Sequence, residues 1–201
     1  AVGSALGACL SSAIVAYGFA KLKWKGRDVA FSVVMLTMFL PYQVTMIPTF
    51  LVFRAAGLVD SLWPLILPAF FGNAFFIFLM RQFMMTIPDD LLDAARIDGA
   101  SEFRIFSMII APLVKPAFVT LGIFQFIGSW NSFLWPLIVT SSAQHLMTLP
   151  VGLRMMVTAY STTTVQNRLF AATVLGIIPT IVIFLAMQRH YVKGIALSGI
   201  K

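Results

Sequence analysis

Runs without Lys, Arg, Asp or Glu dominate this chain. Residues 1–20 form one, ended by Lys21, and residues 29–53 a second, ended by Arg54. Residues 61–80 form a third, ended by Arg81, and residues 169–188 a fourth, between Arg168 and Arg189. A helix needs about 20 apolar residues to cross the hydrocarbon core of a bilayer, so each run predicts a membrane span. The run 116–153 is also uncharged, but its 38 residues are too many for one crossing. A span is expected at 108–129, with the remainder outside the membrane. That span contains Lys115 one or two helical turns from its inner end, where the side chain can snorkel. The pattern predicts an all-α polytopic membrane helical bundle with five spans. Pro41, Pro68, Pro116 and Pro179 fall within spans and should kink or break them. Gly3, Gly7 and Ser11 lie four apart, as do Ala8, Ser12 and Ala16, which suits close helix packing in lipid.

Composition narrows the class. Of 201 residues, 60% are hydrophobic and 10% charged, against about 25% charged in a soluble domain. Such a chain cannot cover a water-facing surface, which excludes a soluble enzyme, a disordered protein and a disulfide scaffold. The net charge of +7 reads as loop charge that sets orientation, not as a nucleic-acid footprint. Five spans make the loops alternate sides. Lys21, Lys23, Lys25, Arg27, Arg81, Arg96, Arg104, Arg189, Lys193 and Lys201 fall on one side, and Arg54, Arg154 and Arg168 on the other. The excess of positive charge puts the first set in the cytoplasm. Trp24 and Tyr191 then lie near inner ends, and Trp63, Trp130 and Trp135 near outer ends, as interfacial belts would. This orientation places Ala1 outside. A cytoplasmic tail and one earlier span are therefore expected before it, with a cleaved signal peptide as the alternative. Cys9 is the single cysteine, so the chain forms no internal disulfide.

One sizeable polar stretch stands out, within residues 86–106. Thr86 can cap a helix whose first turn holds Pro88, Asp89 and Asp90. Leu91, Leu92 and Ala95 make a short apolar face, and Asp93 precedes Arg96 by three. Gly99 is a natural helix stop, and Ser101 can cap a second helix running into the next span. The expected product is two short helices at a glycine corner, with Ala94, Ala95 and Ala100 small enough to enter a groove of another protein. An amphipathic connector lying on the membrane is the alternative. Five acids in the loop weigh against it, because anionic headgroups favour basic helices.

Asp93-Ala94-Ala95, then Asp98-Gly99-Ala100, then Ile109 and Pro112, resembles the EAA loop of permease subunits of binding-protein-dependent ABC importers. Asp93 stands where that pattern has glutamate, and Ala111 where it has leucine. The likeness continues through Met46-Ile47-Pro48, Phe78–Phe83, Gly128–Pro136, Leu149–Leu153 and Gln188 onward. These stretches look like the carbohydrate-uptake branch, which includes the maltose and glycerol-3-phosphate permeases. The resemblance implies one transmembrane permease domain over 1–201, five spans of a six-span core, and a coupling loop at 86–106. It implies a second permease subunit, an ATP-binding cassette ATPase dimer and an extracytoplasmic solute-binding protein as partners. Asp93, Ala94, Ala95, Arg96, Asp98, Gly99, Ala100 and Pro112 become the residues expected to meet the ATPase. The membrane would be the bacterial or archaeal cytoplasmic membrane.

Other chemistry is sparse. The tail Gly194–Gly199 has glycine spacing but lacks the Gly-Lys-Ser/Thr of a phosphate-binding loop. ATP and its magnesium are therefore expected on a partner chain, with no cofactor held by this one. His145 and His190 stand alone without metal-ligand spacing. No acid lies inside a span, which argues against an ion-coupled carrier. That carrier and a non-transporting anchor subunit are the competing functions. Tyr42, Gln43, Asn73, Gln125 and Asn131 are polar at membrane depth and are candidates to line a solute pathway, although bonding between helices is the commoner role of such groups.

Overall fold

The computed structural model describes the backbone of residues 1–159 and 163–196, and the side chains of residues 1–157 and 167–186. The basic tail with Arg189, His190, Tyr191 and the glycines at 194 and 199 lies outside the described side chains. The chain folds into helices α1 (Val2–Ala20), α2 (Arg27–Leu36), α3 (Tyr42–Ala55), α4 (Trp63–Ile66), α5 (Ala74–Met85) and α6 (Asp89–Ile97). There follow α7 (Glu102–Ile105), α8 (Ala111–Leu113), α9 (Lys115–Trp130), α10 (Leu134–Val139), α11 (Leu149–Ala159) and α12 (Thr163–Ala196). Tight 3-10 turns occupy Thr37–Phe39, Leu67–Phe71 and Gln144–Leu146, and a wide π turn occupies Phe106–Ile110.

Among the described residues two helices are long and apolar enough to cross a bilayer unaided: Val2–Ala20 and the Asn167–Ala186 part of α12. Three expected spans are broken instead. Arg27–Phe39 meets Tyr42–Ala55 at 98°, Trp63–Phe71 meets Ala74–Met85 at 40°, and Glu102–Leu113 meets Lys115–Trp130 at 78°. Counting each bent pair once gives up to five spans. Proline explains the first and third breaks, while the 40° bend falls at Gly72 (φ +85°) and Asn73, after the 3-10 turn that holds Pro68. Pro41 pushes Leu40 into an extended conformation and starts α3 afresh. Pro112 and Pro116 remove two helix donors one turn apart. The π turn sits before the first, and the 78° bend falls at Val114 between them. Lys115 is accordingly the first residue of α9 and not an interior residue of a continuous helix. Pro179 differs, because α12 runs through it unbroken.

α1 is the central pillar, packed against α5, α9 and the 3-10 turn at Leu67–Phe71. Its small residues do what their spacing suggests. Ala8, Ser12 and Ala16 are almost wholly buried. A Cβ on Gly7 would lie 2.6 Å from the Phe70 ring, so only glycine admits that ring. Polar side chains then repair the broken helix beside α1. Pro68 has no N–H for the carbonyl of Pro64, and the Trp135 indole N–H takes that place at 2.9 Å. Ser4 Oγ donates to the carbonyl of Leu65 at 2.8 Å, and Ser11 Oγ to that of Ala69 at 3.1 Å. The N–H of Asn73 donates to Ser12 Oγ at 3.1 Å. Backbone groups bared inside lipid cost several kcal/mol each, so the break exists because neighbours satisfy it.

Trp135 therefore departs from the expected interfacial belt. It is 9% exposed and stands edge-on to Phe53. Its segment is also not a bare external loop, because α10 buries Val139 and Trp135 against α3 and α4. Trp63 and Trp24 are exposed. Trp130 donates to the carbonyl of Gly176 at 3.0 Å, joining α9 to α12.

Candidate functional site

The polar loop forms the expected pair of short helices, and its corner has a specific construction. Gly99 has φ +77°, the left-handed conformation that L side chains resist. The N–H of Gly99 donates to the carbonyl of Arg96, and that of Ala100 to the carbonyl of Ala95, both at 3.0 Å. This is the Schellman closure of α6. Ser101 then caps α7 by accepting from the N–H of Arg104. The start of α6 differs from expectation. Thr86 ends α5, with its hydroxyl donating to the Phe83 carbonyl, and Pro88 occupies the cap position itself. Asp89 and Asp90 fill the first turn as expected.

The expected apolar face of α6 divides. Leu92 is buried, with Ala95 and Ala100 packed beside it on the bundle, while Leu91 points out. Of the three alanines expected on show, only Ala94 is exposed. The outward apolar groups are Ile97, 86% exposed, and Phe103, 78% exposed. Both flank the glycine corner, and their apolar character in a charged loop was a usable signal. Asp98 and Gly99 are exposed between them, and Pro112 is exposed on α8.

Charge ties this loop to α1. Arg96 binds Asp93 at 2.7 Å and Glu102 at 2.8 Å, and the Tyr17 hydroxyl donates to Glu102. The bonds to Glu102 and Asp93 stabilise the protonated Arg96 guanidinium further above its ordinary value. Lys21 is buried, and its ammonium donates to the Ile87 carbonyl and to Asp89, both at 2.6 Å. The hydrogen bond and charge of Lys21 hold the Asp89 carboxyl below the usual carboxylate range. Neither Tyr17, Lys21 nor Glu102 stood out in the sequence as a partner of the loop. Asp93 and Arg96, expected to face an ATPase, spend part of their charge inside this chain.

A cavity of about 400 Å³ lies at the far end of α1 from this loop, between α1, the broken α4–α5 helix, α9 and α10. Tyr42, Asn73 and Gln125 line it, with Ser4, Thr49, Ser129 and Trp135 among its other walls. Asn73 also caps α5 by accepting from the N–H of Phe76, and Gln125 donates to Ser129 Oγ at 3.3 Å. Two expected pathway residues lie elsewhere. Gln43 is exposed on α3 beside the cavity-lining Tyr42. Asn131 folds back on the Ile127 carbonyl at 3.0 Å as the end of α9. Thr148 is a lining residue that sequence reasoning missed. Its hydroxyl oxygen is buried without a hydrogen-bond partner among the described residues. Among the described residues no group of three His, Cys, Asp or Glu could hold a metal ion.

The chain is 40% identical over 190 residues to the arabinooligosaccharides transport system permease protein AraQ of Bacillus subtilis (strain 168), covering 94% of this chain and 66% of that protein. It is 40% identical over 184 residues to the sn-glycerol-3-phosphate transport system permease protein UgpE of Yersinia pestis bv. Antiqua (strain Antiqua), covering 92% of this chain and 65% of the relative. The chain thus spans about two thirds of the length of the relatives it matches. Its fold is similar to a chain of a bacterial ABC transporter involved in the import of the acidic polysaccharide alginate, with TM-score 0.72 and 26% identity, covering 94% of this chain and 73% of that one. Residues 9–197 match the family described as the binding-protein-dependent transport system inner membrane component, and the chain belongs to that family.

Proposed function

We propose that this chain is the transmembrane subunit of an ATP-driven importer for a neutral oligosaccharide. The glycine-cornered helix pair carries the reading. It presents Ile97, Gly99 and Phe103 as an outward knob while its charges and Leu92 anchor it to the bundle. Such a knob suits a groove in a cytoplasmic ATPase dimer that binds ATP and magnesium itself. A second permease subunit would close the other side of the cavity, and an external solute-binding protein would load it. The family and its inner-membrane description support this set of partners.

The cavity supports the neutral solute. None of its 18 lining side chains is charged, and their polar groups are hydroxyls, amides and the Trp135 indole, including the Thr148 hydroxyl that has no partner among the described residues. A phosphate or carboxylate taken into such a wall would lack a compensating cation, which is costly. Sugar hydroxyls would find donors and acceptors there. The relatives named for arabinooligosaccharides and for glycerol-3-phosphate, and the alginate importer, supply the probes. In proteoliposomes holding the complete complex, arabinotriose should enter with ATP and continue to enter after ion gradients are collapsed. Glycerol-3-phosphate and an alginate trisaccharide should not compete. Uptake driven by a sodium or proton gradient without ATP would refute the importer, and preferential uptake of either anion would refute the neutral solute.

A further inference from the structure

We propose that Tyr17 and Lys21 are positioning residues that lock the ATPase-facing loop to α1, so that α1 carries the loop's displacement to the cavity wall. This rests on the importer reading given above. α5 and α7 join the loop covalently, but each belongs to a bent pair, broken by 40° and 78° respectively. A bend dissipates a push. α1 has no such break: it runs from Val2 to Ala20 as one α-helix without proline. Its two ends meet the two regions that transport must connect. Ser4 and Ala8 line the cavity, while Tyr17 and Lys21 hold the loop. Lys21 lies seventeen positions after Ser4, about 26 Å at the α-helical rise.

The attachment has two points, which lets it transmit rotation as well as translation. Lys21 grips the entry to α6 through the Ile87 carbonyl and Asp89. Tyr17 grips the start of α7 through Glu102, which Arg96 binds from α6 through both of its carboxylate oxygens. The chain of contacts Tyr17–Glu102–Arg96–Asp93 ends on the acidic position of the EAA-like motif. Lys21 has a buried side chain, 3% exposed, so water does not compete for its ammonium. The grip is thus stiff where it meets α1 and open to solvent on the loop side, where Asp89 is 69% exposed.

The test uses the assembled complex in lipid nanodiscs, in a Cys9→Ala background. Spin labels at positions 1 and 42, both on the cavity wall, report the cavity with and without ATP plus vanadate. In the parent complex the label distance should change on trapping. In Tyr17→Phe and in the Tyr17→Phe/Lys21→Met double variant, the ATPase should still copurify and trap nucleotide. The distance change should fall below half in the double variant, and a Lys21→Arg single variant, which keeps the charge and the Tyr17 hydroxyl, should retain most of it. A full distance change in the double variant overturns the proposal. Tyr17→Phe removes one oxygen only, so a folding loss in the double variant leaves the single variant to decide: a diminished change in it supports the clamp, and a full change overturns it. If the parent complex traps nucleotide without any distance change, the importer reading fails and the clamp with it. If the distance changes but arabinotriose does not enter, only the solute assignment fails.

Discussion

Replacing Gly99 separates two ways in which the loop corner could matter. The residue has φ +77°, and a Cβ built there meets no atom of this chain within 4 Å. A side chain therefore costs conformational energy alone within the subunit. That cost is about 1–2 kcal/mol for an ordinary L residue held in the left-handed region. Asn tolerates the region better than Ala, and a β-branched residue worse. About 1.4 kcal/mol is a factor of ten in an equilibrium, so Gly99→Val should depopulate the closed corner by roughly tenfold or more. Against a total stability of about 5–15 kcal/mol the protein stays folded and in the membrane. Copurification of the ATPase, and ATP hydrolysis stimulated by the loaded binding protein, should both fall at matched expression. If conformation dominates, the order of damage is Asn, then Ala, then Val. If the partner groove leaves no room, damage follows size, and Asn exceeds Ala. Normal copurification and normal stimulated hydrolysis for Gly99→Val would refute a coupling role for the corner.

Asp93→Lys should reduce ATPase copurification at least severalfold, because it reverses the charge facing Arg96 at 2.7 Å; Asp93→Glu keeps the charge and should stay within about twofold by the same pull-down, given the roughly 0.2–1 kcal/mol scale of exposed pairs. Gly7→Leu should destabilise the detergent-solubilised subunit by about 1–3 kcal/mol through overpacking against Phe70; Phe70→Ala should partly rescue its thermal midpoint, and no rescue would point to a different clash. The Asp89 carboxyl is held below its ordinary value of 3.8, chiefly by Lys21, so its stabilisation is present above that value and is lost as pH falls through the lowered one. The melting difference between parent and Asp89→Asn should hence be flat from about pH 5 to about pH 8 and shrink only below about pH 4.

Much of the fold was legible because it is local. The apolar run ended by Lys21 became α1, Gly99 closed α6, Ser101 capped α7, bends appeared at Pro41 and beside Pro116, and the helix tightened to a 3-10 turn at Pro68. Each rests on a residue acting on its own backbone or on the next turn. What escaped was relational. Tyr17 and Glu102 stand 85 residues apart, and Lys21 and Asp89 68, so no spacing rule joins them. Lys21 looked like one more orientation-setting charge, because burial of an ammonium depends on what packs over it. Trp135 looked interfacial for the same reason: its N–H is claimed by a carbonyl that Pro68 left bare, 71 residues earlier. Gln43 and Asn131 are polar at membrane depth, and polarity does not say which wall of a helix meets the cavity.

The repaired break at Pro64 and Pro68 also constrains how the protein is made. Its exposed carbonyls are answered by Ser4 and Ser11, already synthesised, but also by Trp135, about 70 residues downstream. Released into lipid alone, this segment would carry at least one unanswered carbonyl until α10 emerges. Biogenesis must then hold the half-built hairpin beside the insertion machinery or at the headgroup layer. Ordinary hydropathy, which counts side chains, does not register that debt. A Trp135→Phe chain should remain extractable or protease-sensitive in the 61–72 region for longer during synthesis, read by pulse-chase, and insertion at the parent rate would show that the late indole is dispensable for assembly.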